Sequence, residues 1–281
     1  MKNVFGSCNC NEHFDGAKFI TRNVNPIIEE EINNILQENE NFQEKASLPK
    51  VLKILKYVFG FSGFIIAAGI IKSLGDISIK EAFNNAAFLF YIAGISILIW
   101  AILVIYEKNK SEDVAQSQEV KDLEVQSNDL LKKALDDLKI PEDAKLVDVL
   151  SYHYKLHDGK EKQLNGFFKY INMQLRLYVE DSKLHLGDAH ELYAIPLSYI
   201  KKISIINKKI SVFGWNKDAA YNSKEYKQYK ITANNYGVLF FKNYCSILIN
   251  DGIEEFEIMV PTYEKDVIKE LTNISIEEVS E

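Results

Sequence analysis

One stretch constrains this chain more than any other. Residues Ala86 to Tyr106, AAFLFYIAGISILIWAILVIY, carry no charged side chain. As an α-helix rising 1.5 Å per residue the stretch is about 31 Å long, the thickness of bilayer hydrocarbon. Tyr91 and Ser96 are its polar interruptions. Trp100 and Tyr106 lie toward its C-terminal end, where amphipathic rings favour a membrane interface. A helix apolar on all sides must be surrounded by protein or by lipid, and an uncharged run of this length points to lipid.

The preceding residues supply a partner helix. Tyr57 to Ile71 is uninterrupted but would span only about 22 Å. Extending it back to Leu48 adds apolar residues together with Lys50, Lys53 and Lys56. Lysine stems bury their methylenes while the ammonium reaches the headgroups, so these charges suit a helix end. Gly63 and Ala67, four apart, offer a small-residue face, and Ala93 and Gly94 offer another on the second helix. Residues 48–106 are therefore expected to form a two-helix transmembrane hairpin connected by residues 73–85. Lys45, Lys50, Lys53, Lys56, Lys108 and Lys110 lie on its outer flanks, against Lys72 and Lys80 in the connection. That asymmetry puts both chain ends in the cytoplasm and the connection outside the cytoplasmic membrane. Met1 to Ser7 lacks the apolar core of a signal peptide.

Averaged over the whole chain, the composition is that of a soluble protein. The 281 residues include 33 basic and 40 acidic side chains, a net charge of −7, with 47% hydrophobic residues and three cysteines. These figures exclude a disordered chain, a disulfide scaffold and a strongly basic nucleic-acid binder. Residues 1–25 read as a polar tail. Asn25-Pro26 is a helix start, and Ile28, Ile32, Ile35, Leu36 and Phe42 give residues 26–47 the stripe of an amphipathic cytosolic helix. Its acidic polar face favours packing on protein over lying on lipid. Residues 107–144 read as a charged helical linker with Val120, Leu123, Leu130, Ala134 and Leu138 on one stripe. Ser127 and Asp137 break its heptad, and Pro141 ends it.

From Lys145 the pattern changes to short alternating runs. The expected strands are 146–156, 168–179, 183–186, 191–196, 202–206, 210–215, 229–232, 237–242, 246–249 and 256–260. His157-Asp-Gly159 and Asn250-Asp-Gly252 are turn signals. Pro261-Thr262 opens a final helix with Val267, Ile268, Leu271 and Ile274 on its apolar face. The expected fold class is α+β: a transmembrane helical hairpin plus an antiparallel β-barrel or sandwich over residues 145–281, capped by a C-terminal helix.

Within that region the run Leu175-Arg-Leu-Tyr-Val-Glu-Asp-Ser-Lys-Leu-His-Leu-Gly187, followed by Tyr193-Ala-Ile-Pro-Leu-Ser-Tyr-Ile200, resembles bacterial pleckstrin-homology-like and GRAM-like domains. Asp181 and Leu184 occupy the turn into a strand. Ile195, Pro196, Leu197 and Ile200 occupy the "I-P-L-x-x-I" that leads into the next. Gly237 to Phe241 and the final helix resemble the later strands and capping helix, so the likeness covers roughly residues 145–276. The closing helix lacks the tryptophan of many eukaryotic members. The loop Asp158-Gly-Lys-Glu-Lys162 mixes signs where phosphoinositide binders are densely cationic. The resemblance therefore implies a fold and an interaction module, without carrying a ligand across.

The chemistry-bearing residues are sparse. Cys8, Cys10 and His13 put two thiols and an imidazole within six residues, ligand types that suit zinc, although a structural site wants a fourth ligand that a second copy would have to supply. Lys201, Lys202, Lys208 and Lys209 could form a cationic rim facing anionic lipid. His153 and His157 share a strand face with Ser151 and Lys155, without a carboxylate or thiol beside them. His190-Glu191 lacks the second histidine of a zincin, and no P-loop, dinucleotide fingerprint or nucleophile elbow occurs. The expectation is a non-enzymatic, cofactor-free, two-pass membrane-anchored interaction module. Its expected partners are the bilayer and a protein, a second copy included, with no nucleic acid or small-molecule ligand. The alternative is a small accessory subunit of a membrane transport or channel assembly. Such pathways usually need ionisable groups at mid-membrane, and neither apolar stretch carries one there.

Overall fold

The computed structural model describes residues 4–5, 19–73, 79–155, 161–162, 173–212, 228–229, 231–233, 238–253 and 255–279. They form an α+β protein whose sheets are antiparallel except at one edge, with five α-helices among the described residues. The chain divides into two compact units, one of Asn33–Ser127 and one of Asn3–Ile32 with Asn128–Glu281.

The first unit is helical, and the two ends of its helical run, residues 26–32 and 128–138, belong to the second unit. α1 (Pro26–Ala46) begins where expected, because the Asn25 side-chain oxygen accepts the Ile27 amide at 2.9 Å and Pro26 needs no amide partner in the first turn. α2 (Lys50–Ser73) and α3 (Ile79–Gln116) are the two apolar helices. α3 starts several residues earlier than the sequence suggests and runs for 38 residues, about 57 Å, well past its uncharged stretch. The contacts Lys56–Glu107, Phe64–Trp100 and Gly63–Ile97 fix α2 and α3 as an antiparallel pair. α4 (Gln118–Leu138) buries Val120, Leu123, Leu130, Ala134 and Leu138. Ser127, which breaks the heptad in the sequence, is buried within the stripe and donates to the Leu123 carbonyl at 2.6 Å, so its hydroxyl is satisfied inside the helix.

The second unit is built on two sheets. The five-stranded sheet has the order β1-β7-β6-β5-β2, from β1 (Ile20–Asn23), β2 (Lys145–Val149), β5 (Met173–Glu180), β6 (Lys183–Gly187) and β7 (Glu191–Pro196). The six-stranded sheet has the order β14-β8-β12-β13-β3-β4, from β3 (Ser151–Lys155), β4 (Glu161–Lys162), β8 (Ile200–Ile206), β12 (Tyr244–Asn250), β13 (Glu255–Val260) and β14 (Ile276–Val279). Their inner faces share one core, in which Val147, Leu177, Leu186 and Ile195 of the first sheet meet Ile203, Ile247, Ile258 and Val260 of the second. α5 (Lys265–Thr272) adds Ile268 to it. A three-stranded sheet, β9 (Ile210–Val212), β10 (Ile231–Ala233) and β11 (Leu239–Phe241), forms a second core with Leu150, Tyr244 and Met259.

Three differences from the sequence reading have local causes. The run expected as one strand from 146 to 156 divides at Leu150. Val149 faces the main core while Leu150 faces the second one, so β2 and β3 serve different sheets. The barrel admitted by the sequence does not close among the described residues: the two sheets remain open and face each other as a sandwich. Part of the expected polar tail is β1, which pairs antiparallel with β7, while Phe5 and Phe19 are buried. The β5–β6 hairpin turns on Asp181 and Ser182 at φ 49° and 60°, the positive-φ pair that a tight two-residue turn requires.

Candidate functional site

Two surfaces stand out, one in each unit. In the helical unit, α2 and α3 are both long and apolar enough to cross a membrane, yet only 11% of the most apolar window of each is buried. A core helix of a soluble protein would be covered. Here Phe61 is 73% exposed, Phe88 71% and Ile71 69%, and Tyr57, Phe64, Ile95, Leu98, Ile102 and Ile105 are exposed with them. The contact between the helices is narrow by comparison. Gly63 approaches α3 so closely that a Cβ there would lie 3.0 Å from Ile97 Cγ1 and 3.2 Å from the Ile97 amide nitrogen. At Gly60 a Cβ would meet Trp100 Cδ1 at 2.7 Å, and the indole also stands edge-on to Phe64 at 5.3 Å. At one end of the hairpin Lys56 pairs with Glu107 at 2.5 Å, and Lys110 donates to the Ser47 carbonyl at 2.8 Å.

Of the small residues picked from the sequence, Gly63 and Ala93 are buried and Ala67 is half-buried. Gly94 is exposed and has nothing within 4 Å of where a Cβ would stand, so it makes no packing contact in this hairpin. Buried Ser96 beside Ala93 takes the place assigned to it. Gly60 escaped the sequence reading, although it shares a helical face with Gly63 and Ala67 at spacings of three and four.

The second surface is a polar cluster at the β6–β7 turn. Asp188 is almost fully buried, and its Oδ1 accepts the amides of His190 at 2.8 Å and Glu191 at 3.2 Å, while its Oδ2 has no hydrogen-bond partner among the described residues. Burial, offset in part by His190 and these two amides, pushes the Asp188 carboxyl up to about 6. His190 Nδ1 sits 2.9 Å from Glu29 Oε2 on the first turn of α1, and Tyr193 donates its hydroxyl to Glu191. Arg176 on β5 is half-buried; desolvation lowers its pKa against the opposing pull of Asp188. Nearby, Arg22 donates to the Leu138 carbonyl at 3.1 Å and Asp137 accepts the Asn25 amide at 2.8 Å. The cluster therefore fastens α1 and the end of α4 to the five-stranded sheet. The sequence signal was Asp188-Ala-His-Glu191, three titratable residues in four between two strands. It is a structural clasp with no nucleophile-base pair.

The remaining sequence candidates are dispersed. Lys201 and Lys202 are exposed on the first residues of β8, and Lys208 and Lys209 are exposed beyond its far end, with Lys209 Nζ 5.0 Å from the centre of the Phe240 ring. Five residues, 203–207, lie between the pairs, which therefore sit toward opposite ends of β8. Cys8, Cys10 and His13 lie outside the described residues, as does His157, while His153 is paired in register with Glu257 through β3 and β13. Among the described residues no three His, Cys, Asp or Glu side chains are grouped to hold a metal ion. Cys245 is fully buried and its thiol is pushed up to about 12 by desolvation, which makes it a core residue. Neither a family model, nor a curated protein, nor a solved structure matches the chain.

Proposed function

We propose that this chain is a two-pass membrane-anchored interaction module. In this reading α2 and α3 cross the cytoplasmic membrane, both ends of the hairpin lie on the cytoplasmic side, and the β-rich unit is a cytosolic pleckstrin-homology-like domain. That domain binds a protein partner or the inner leaflet and performs no catalysis. The observation that carries the reading is the exposed apolar surface of the hairpin, which in water would be a large unsatisfied patch and in lipid is solvated. The pleckstrin-homology-like reading is supported by the strand order. The consecutive strands β2 and β3 contribute one to each sheet, β5-β6-β7 continue the first, β8-β12-β13 continue the second, and α5 packs on the shared core. Lys50, Lys53, Lys108 and Lys110 at the open end of the hairpin support the orientation. The uncharged middle of both helices favours anchoring over transport.

Alkaline carbonate extraction of membranes expressing the full chain tests the first claim. Retention in the pellet is expected, and release into the supernatant would overturn it. Orientation is tested by Ser78→Cys in a chain with Cys8 and Cys10 replaced by Ser. A membrane-impermeant maleimide should label residue 78 in intact cells. Labelling only after the cells are opened would reverse the topology.

A further inference from the structure

In the reading proposed above, α2 and α3 cross one bilayer, yet their uncharged runs differ in length. Ala86 to Tyr106 spans about 31 Å, whereas Tyr57 to Ile71 spans only about 22 Å and is cut off by Lys56. Lys56 does not point outward. Its ammonium turns into the seam between the helices, 2.5 Å from Glu107 Oε2 on α3 and 5.4 Å from the centre of the Tyr57 ring. Its side chain is 16% exposed and that of Glu107 27%. The outside of α2 stays apolar beyond this point, because Val51, Ile54 and Leu55, nearer the open end of the hairpin, are all exposed. An ion pair therefore lies in a helix seam whose outer surface is still apolar for more than a turn.

The charges around it behave differently. Lys108 and Glu112 approach to 3.7 Å but both stay exposed, and Lys50 and Lys53 on α2 are exposed as well. Those lysines can lay their stems along apolar surface and carry their ammonium groups to the headgroups. The Lys56 ammonium is instead committed to Glu107. A lone charge among acyl chains is costly, whereas a hydrogen-bonded pair of opposite charges satisfies itself. With the hydrocarbon boundary at Lys53 rather than Lys56, α2 crosses with residues 54–71, about 27 Å, close to the thickness of bilayer hydrocarbon.

We propose that the Lys56–Glu107 pair lies within the hydrocarbon layer, close to its cytoplasmic boundary, as a neutral clamp between α2 and α3 that sets the depth of the hairpin. The inference rests on the membrane reading of these helices. The clamp acts against movement in both directions. Sliding the hairpin outward would draw Lys50 and Lys53 among the acyl chains, and sliding it inward would bring Ile54 and Leu55 into water. Pairing is what lets residues 54–56 stay submerged. Removal of one partner leaves a charge of one sign in the seam, and water or headgroups must then come to it.

The test labels single cysteines in inside-out membrane vesicles with an impermeant maleimide. The full chain is used with Cys8 and Cys10 replaced by Ser, and buried Cys245 stays. Three exposed positions serve: Ile54→Cys beside the pair, Phe61→Cys deeper in the hairpin, and Gln116→Cys at the end of α3. Gln116→Cys should label, while Ile54→Cys and Phe61→Cys should react at least about tenfold more slowly until the membrane is dissolved, because a thiol among acyl chains does not ionise. Adding Glu107→Gln to the Ile54→Cys chain should remove that protection, and exchanging the charges, Lys56→Glu with Glu107→Lys, should preserve it. If Ile54→Cys labels as fast as Gln116→Cys while Phe61→Cys stays protected, the pair lies in the aqueous layer, and the proposal fails with the membrane reading intact. Labelling of Phe61→Cys as well would overturn both. Protection that survives Glu107→Gln would show that the pair does not set the depth. Should the Glu107→Gln chain fail to accumulate, the exchanged pair decides alone: loss of protection there overturns the proposal.

Discussion

The Asp188 carboxyl gives one oxygen to two backbone amides and leaves the other buried without a partner among the described residues. The first oxygen shapes the turn that brings His190 to Glu29, and the second adds a charge that burial opposes. Its carboxyl titrates near 6 in the fold against an ordinary 3.8, so the unfolded chain ionises first as pH rises. Stability is therefore lost between about pH 4 and pH 6, and the loss persists above that window. Asp188→Asn keeps an acceptor for the two amides and removes the charge. The variant should be more stable than the parent at pH 7, by about 1–2 kcal/mol, and the gain should disappear below pH 4. Urea unfolding at both pH values measures this. Equal destabilisation at pH 4 and pH 7 would show that the second oxygen has a partner of its own.

At the scale of elements, legibility followed local chemistry. Asn25-Pro26 announced α1 because a cap and a ring-locked first turn act within three residues. Asp181 marked the β5–β6 turn for the same reason. β1 and β14 stayed hidden, because each is four residues long and is held by a distant strand, β7 or β8, rather than by its own pattern. The clasp was equally hidden: Glu29 and His190 are 161 residues apart, and only the folded sheet brings them together. In the hairpin, spacing alone could not separate Gly63, which touches Ile97, from Gly94, which touches nothing. Substitution separates them. Gly63→Val should force α2 off α3 and destabilise the pair by about 1–3 kcal/mol, whereas Gly94→Val should leave it unchanged. Protease resistance of the hairpin in detergent as temperature rises is the readout. A larger loss at Gly94 than at Gly63 would place the helix contact on another face.

On the scale of the whole molecule, the chain combines two ways of burying apolar side chains. The β-rich unit sequesters Val147, Leu184, Ile203, Ile247 and Ile258 almost completely, as water demands. The hairpin leaves aromatic and aliphatic side chains on its outside and relies on close backbone contact for its own cohesion. The net charge of −7 averages over these two regimes and describes neither. Denaturant distinguishes them, because urea solvates peptide and apolar groups exposed to water but reaches micelle-embedded helices poorly. Unfolding of the full chain in detergent should therefore not be two-state. In pulsed hydrogen exchange across a urea series, amides of β12 and β13 should lose protection in one cooperative step while those of α2 and α3 remain protected at higher urea. A single coincident transition would mean that the hairpin is stabilised by the β-rich unit rather than by lipid or detergent, and would remove the physical basis for treating it as an anchor.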